Sequence, residues 1–285
     1  MTTPPTPQAP SPQAPSPQYA AQPVYTSPIP VRAATLGDAI ASEWTKIRSV
    51  RSTMWTLGVM IVLLVGIGVL AAVAIDATGS DVGSTPVLSF GFFGVLLGSL
   101  CVITLGVLTI SSEYGTGMIR TTLTACPSRG RVLTAKAVVF FLLTFVITTV
   151  TTAVVAMLQT AIIGGEAAGA AAWLRATVGV GLYIATLGLL SLAVGALIRH
   201  SAGAITIMIG VVLLPLVMAM FMLAQSLEDL RMWLFEYSIP NQLSVFYETS
   251  AIDSGPSGWE PLWIMLGLTV VALFGAFLSL DRRDV

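Results

Sequence analysis

The chain has 285 residues, of which 55% are hydrophobic and only 9% charged, and its formal net charge is −1. Ordinary globular proteins carry about a quarter charged residues, so a single soluble domain of this length is excluded: it could not cover its surface. Six continuous windows lack any Asp, Glu, Lys or Arg, over 52–75, 82–112, 137–165, 176–198, 201–227 and 261–280. A bilayer core about 30 Å thick takes roughly 20 apolar residues per helix, so each window holds one span. The windows are unbroken rather than alternating, which excludes a membrane β-barrel.

Residues 1–33 come first, and the stretch 1–31 holds ten of the sixteen prolines with no charged side chain. It reads as a disordered Pro-rich cytoplasmic tail, since it has too little apolar surface to offset its ordering entropy. Residues 35–54 follow with Leu36, Ile40, Trp44, Ile47, Val50 and Met54 every three or four positions, one apolar stripe on a helix. Thr35 and Asp38 match a capping box with the shorter acid. Lys46, Arg48 and Arg51 sit off the stripe, the pattern of an interfacial helix with its cations toward anionic lipid headgroups. A cytoplasmic helix packed on other protein is the competing reading.

The spans are expected near 55–75, 87–110, 138–163, 176–198, 202–224 and 261–280. Gly94 and Gly98 form a GxxxG in the second, which permits close approach of another helix. The loop 111–136 is the longest connection on its side. There Gly115 and Gly117 allow a turn, and Met118, Ile119 and Leu123 offer one apolar face on a short helix. Segment 225–260 is too apolar for a free loop and too broken for a span. It reads either as short helices re-entering the outer leaflet or as an extracellular cap of ordinary helices.

With the amino end inside, eleven of the thirteen Lys and Arg lie on the inner side, leaving only Arg175 and Arg231 outside. That asymmetry places both termini in the cytoplasm. Chemistry is scarce: there is no GxxxxGK[ST] for nucleotide, and His200 is the only histidine, which rules out paired-His metal sites. No carboxylate falls inside the windows, where proton-driven carriers usually keep one. Energy for any transport must therefore enter from outside the bilayer. The chain is expected not to be an enzyme, to hold no cofactor or metal, and to bind no nucleic acid.

The loop sequence SSEYGTGMIRTTLTACPSRGRVLTAKAVVF over 111–140, with SEWTKIRSVRSTMWTL over 42–57, resembles the permease subunits of ATP-binding cassette (ABC) type-2 exporters, in particular high-GC Gram-positive bacterial members. The resemblance runs from about residue 36 to the end. It implies an all-α, six-span subunit of a bacterial plasma membrane, preceded by an amphipathic connecting helix over 35–54. It implies partnership with a second permease copy or a sister chain, and with separate ATPase subunits that hold ATP and Mg. A coupling helix is implied over 113–125, with Glu113, Tyr114, Gly115, Gly117, Ile119, Arg120 and Leu123 at the ATPase contact. It also implies a re-entrant 225–260. The substrate stays unknown, and a non-transporting membrane anchor or immunity protein would have the same sequence features.

Overall fold

A computed structural model describes residues 34–79, 83, 85–164, 168–250 and 254–282. The Pro-rich segment expected over 1–33 lies outside the described residues. In chain order the α-helices are α1 Leu36–Ser49, α2 Arg51–Thr78, α3 Phe92–Thr116, α4 Met118–Ala125, α5 Arg129–Ile163, α6 Ala170–Leu174, α7 Val180–Ile198, α8 Ser201–Phe221, α9 Glu228–Glu236, α10 Ile239–Val245 and α11 Glu260–Arg282. No strand occurs among the described residues. Six helical stretches are long and apolar enough to cross a membrane: Arg51–Thr78, Val87–Thr116, Arg129–Ile163, Ala170–Ile198, Ser201–Phe221 and Glu260–Arg282. The chain is an all-α, multi-pass membrane protein.

Local chemistry sets the helix limits. Thr35 Oγ1 accepts the Asp38 N–H at 3.3 Å while Asp38 accepts the Thr35 N–H at 2.9 Å, a reciprocal capping box that starts α1. The continuous helix expected over 35–54 is broken at Val50, whose extended backbone ends α1 and precedes α2. Arg51 and Met54 therefore belong to the first span and not to the interfacial helix. At the start of α8, His200 Nδ1 accepts the Gly203 N–H at 3.1 Å, so the sole histidine is an N-cap.

Packing follows from which line of each helix is buried. α2 buries Leu57, Met60, Leu64, Gly68 and Ala72, three or four residues apart, against α3 and α5. Between Leu57 and Ile75 its remaining surface is apolar and half-buried or exposed, including exposed Val62 and Leu70, as suits a helix in lipid. Gly94 and Gly98 face α2, and a Cβ on Gly98 would lie 2.2 Å from Leu64 Cδ1. α3 and α7 meet backbone to backbone, since a Cβ on Gly106 would lie 2.4 Å from the Gly188 carbonyl oxygen. α7 is the centre of the bundle, contacting α3, α5, α8 and α11.

The two ends of the bundle differ. At one, Arg129 donates to the Leu280 carbonyl, Arg131 donates to the Ala34 carbonyl, and the Arg199 guanidinium lies 4.9 Å from the Tyr114 ring centroid. This basic end gathers α1, α4 and the adjoining ends of α3, α5, α7 and α11. At the opposite end Arg175 pairs with Glu248. There the segment 225–260 divides in two: α9 has no buried residue, whereas α10 is buried from Ile239 to Ser244. Beyond α10, Phe246 is fully enclosed, 5.5 Å from Tyr183 and 6.2 Å from Trp259 between ring centroids. Amide side chains satisfy the backbone at this break, Asn241 Nδ2 donating to the Glu236 carbonyl and Gln242 Nε2 to the Tyr237 carbonyl.

Candidate functional site: a buried charge cluster at the basic end

Four charged side chains from three helices meet where α1 crosses the ends of α3 and α5. Glu43 is carried on α1 one position from Trp44, on the face turned toward α5. Glu113 sits in the last turn of α3, and Lys136 two turns into α5. These three are 4%, 6% and 1% exposed. An unpaired charge at such burial is prohibitively costly, so the pairing must be close to complete.

The ammonium of Lys136 donates to Glu113 Oε1 at 2.6 Å, to Glu43 Oε2 at 2.8 Å and to the Thr109 carbonyl at 3.3 Å. Its three donors are thereby used. Lys46 reaches the same carboxylates from α1, with Glu43 Oε1 at 2.7 Å and Glu113 Oε1 at 2.9 Å, and adds Thr122 Oγ1 of α4 at 3.3 Å. Burial by itself lowers the Lys46 pKa. Hydrogen bonds and charge from Glu43 and Glu113 outweigh it and hold the ammonium above its ordinary value. The cluster is neutral in sum, and one atom is left over: Glu113 Oε2 has no hydrogen-bond partner.

The short helix beyond the cluster is aimed by a single glycine. Gly117 takes φ 73°, closing α3 and opening α4, a left-handed conformation that favours glycine. Gly115 stays inside α3, so the turn expected at both glycines is made at Gly117 alone. Ile119 is buried in this chain's own core and Leu123 is half-buried. Two of the three apolar residues expected to form one face, Ile119 and Leu123, therefore turn inward, while Met118 stays exposed. The face that α4 offers to the outside comprises Met118, Arg120, Thr121 and Thr124.

Other residues singled out in the sequence fall into two groups. Tyr114 turns from the loop to the α7–α8 junction, under Arg199. Arg199 itself holds φ 58° at the C-cap of α7, and its buried Nε and Nη2 have no hydrogen-bond partner, so the Tyr114 ring face is its main compensation. On α1, Ile47 is buried and Ile40 half-buried, while Leu36, Trp44 and Val50 are exposed. Arg48 lies over the Trp44 ring at 5.9 Å. Lys46, expected toward lipid headgroups, turns into the cluster because Glu43 and Glu113 draw it there. Glu43 had no role in the sequence reading, although its spacing from Ile40 and Ile47 puts a charge on the inward line of α1. That misfit is the signal that a buried partner exists.

A family model described as ABC-2 family transporter protein matches residues 39–226. The match spans well over half of the chain and includes most of α1, the cluster, α4 and five of the six spans. The chain belongs to the ABC-2 transporter family. It is a membrane permease component of an ABC transporter, and this membrane domain carries no nucleotide-binding domain. No curated protein matches the chain.

Proposed function

We propose that the chain is the path-forming subunit of an ATP-driven exporter in a bacterial plasma membrane of the high-GC Gram-positive kind. A second copy or a sister permease completes the pathway, and separate ATPase subunits bind ATP and Mg2+. Both termini face the cytoplasm, so the basic end faces the ATPases. α4 is the docking element, through Arg120, Thr121, Thr124 and Met118, and Ile119 and Leu123 anchor it to the bundle. The observation that carries this reading is the buried charge cluster. Through Lys46 and Thr122 it ties α4 to α1, and through Lys136 and Glu113 it ties both to two spans. A push on α4 therefore meets a contiguous network of strong contacts leading to the span ends.

The test is reconstitution with the cognate ATPase in proteoliposomes, following ATP hydrolysis and ATP-driven movement of cargo together. Arg120→Glu combined with Thr124→Trp is expected to abolish ATPase capture while leaving the subunit folded. Lys46→Met is expected to retain capture and lose coupling, with hydrolysis no longer tied to cargo. Wild-type complexes that bind the ATPase but never move cargo would make the chain a non-transporting anchor or immunity protein.

A further inference from the structure

Two neighbouring residues grip the last turn of α3 from different sides. Glu113 is tied to α1 and α5 through Lys46 and Lys136. Tyr114, the next residue, lies under Arg199 at the end of α7, with the guanidinium carbon 4.9 Å from its ring centroid. The first grip is made of charge-assisted hydrogen bonds, the second of one ring face.

The second grip is poorly satisfied. Arg199 Nε and Nη2 are buried without a hydrogen-bond partner, and no acidic side chain among the described residues pairs with the guanidinium. Tyr114 Oη is likewise buried and unpartnered, as is Ser111 Oγ one turn earlier in α3. Arg199 also holds φ 58°, a left-handed backbone that only Glu248 shares among the described non-glycine residues and that is costly for a residue with a side chain. If the guanidinium swung outward, it and the tyrosine hydroxyl would gain water as partner. The closed arrangement therefore lies close in free energy to an open one, the condition for two populated states.

Packing limits how far an opening can travel. A Cβ on Gly195 would lie 3.0 Å from the Val107 carbonyl oxygen, which extends the close seam of Gly106 and Gly188 toward the basic end. Tyr114 stands two turns beyond that seam on α3, and Arg199 one turn beyond it on α7. An opening bends only the end of α3 that leads through Gly117 into α4.

We infer that Tyr114 and Arg199 form a releasable latch. Closed, it fixes the end of α3, and with it α4, to the α7–α8 junction. Open, that end turns with α1 and α5 through the charge cluster. The inference goes beyond the exporter reading, because both positions of α3 exist without ATPase or cargo, and each can fail while the other stands.

Spin-label distances in the full-length purified chain, held in lipid nanodiscs without ATPase, test it. Cys101 and Cys126 are changed to Ala throughout. Labels at Thr116→Cys and Ala202→Cys span the latch, and labels at Thr116→Cys and Ser49→Cys span the charge cluster; all three positions are exposed. The wild type is expected to show two Thr116–Ala202 populations about 2 Å or more apart, the scale of helix shifts in switching proteins. Tyr114→Phe keeps the ring face, loses the orphan hydroxyl and should shrink the open population. Arg199→Gly removes the guanidinium and suits the positive φ, so the open population should dominate with no fall in unfolding temperature. Tyr114→Leu leaves Arg199 in place and should open the latch in the same way, which carries the test if the glycine variant does not fold. In all of these the Thr116–Ser49 distance should stay as in the wild type. A Thr116–Ala202 distribution that neither opening variant changes overturns the inference. So does an equal change across Thr116–Ser49, the mark of general loosening.

Discussion

At the residue scale, Lys136 is the keystone of the basic end, since its one ammonium serves Glu43, Glu113 and the Thr109 carbonyl. Removing it leaves two buried carboxylates with only Lys46 between them. Lys136→Met is therefore expected to cost about 3–5 kcal/mol, the range for breaking a buried ion pair by deleting one partner. The double variant Lys136→Met with Glu113→Gln should recover part of that loss, because it removes a charge along with its partner. Denaturant unfolding in detergent measures both, and a double variant no more stable than the single one would show that the pairing energy lies elsewhere. Lys46 gives a pH dependence whose sign is fixed by its raised pKa. A lysine stabilised as its ammonium contributes fully below its unfolded pKa and loses that contribution as pH rises through the folded value. Stability owed to Lys46 should thus hold from neutral pH upward and fall only on the alkaline side of 10.5. Lys46→Met should shrink that alkaline fall.

At the scale of elements, the sequence resolved the spans and blurred everything that depends on tertiary contact. Six charge-free windows are a property of composition, so they survive any detail of packing. The break at Val50 has no glycine or proline to announce it. It arises because α1 must turn to bring Glu43 and Lys46 onto the ends of α3 and α5. The resemblance placed Glu113 at the ATPase contact and Lys136 showed only as a charge, both standing just outside the edges of adjacent windows, 82–112 and 137–165. Nothing local says that such edges meet. The inward turn of Ile119 was hidden for the same reason: an apolar residue on a short helix indicates a face but not its direction. Gly117 was legible, and its positive φ makes a sharp prediction. Gly117→Val should cost about 1–2 kcal/mol, the penalty for a side chain in the left-handed region, and should misdirect α4. Gly115→Ala, within regular helix, should be neutral or slightly stabilising. Parallel unfolding curves and ATPase capture by the two variants decide it: equal effects would mean that the turn is not made at Gly117 alone.

At the scale of the whole molecule, one polarity organises the rest. Eleven of thirteen basic residues belong to the side that carries the termini in the sequence reading. The fold collects those it describes at the end where α1, α4 and the charge cluster lie. Aromatic residues and carboxylates mark the other end, with α10 sunk among the helices and α9 left on the surface. If the positive-inside bias sets orientation, the basic end faces the cytoplasm and α4 stands where an ATPase can reach it. The native thiols are poor reporters, because Cys126 is buried and Cys101 lies within a span. Single cysteines placed at exposed positions on the two ends report directly: Ser128→Cys just before α5 and Ser257→Cys just before α11, each with Cys101 and Cys126 changed to Ala. A membrane-impermeant maleimide should label Ser257→Cys in intact cells and reach Ser128→Cys only after permeabilisation. Labelling of both in intact cells would indicate a chain that is not uniformly inserted. The reverse pattern would place α4 outside, away from ATP, and the docking role of Arg120 and Thr124 would fall with it.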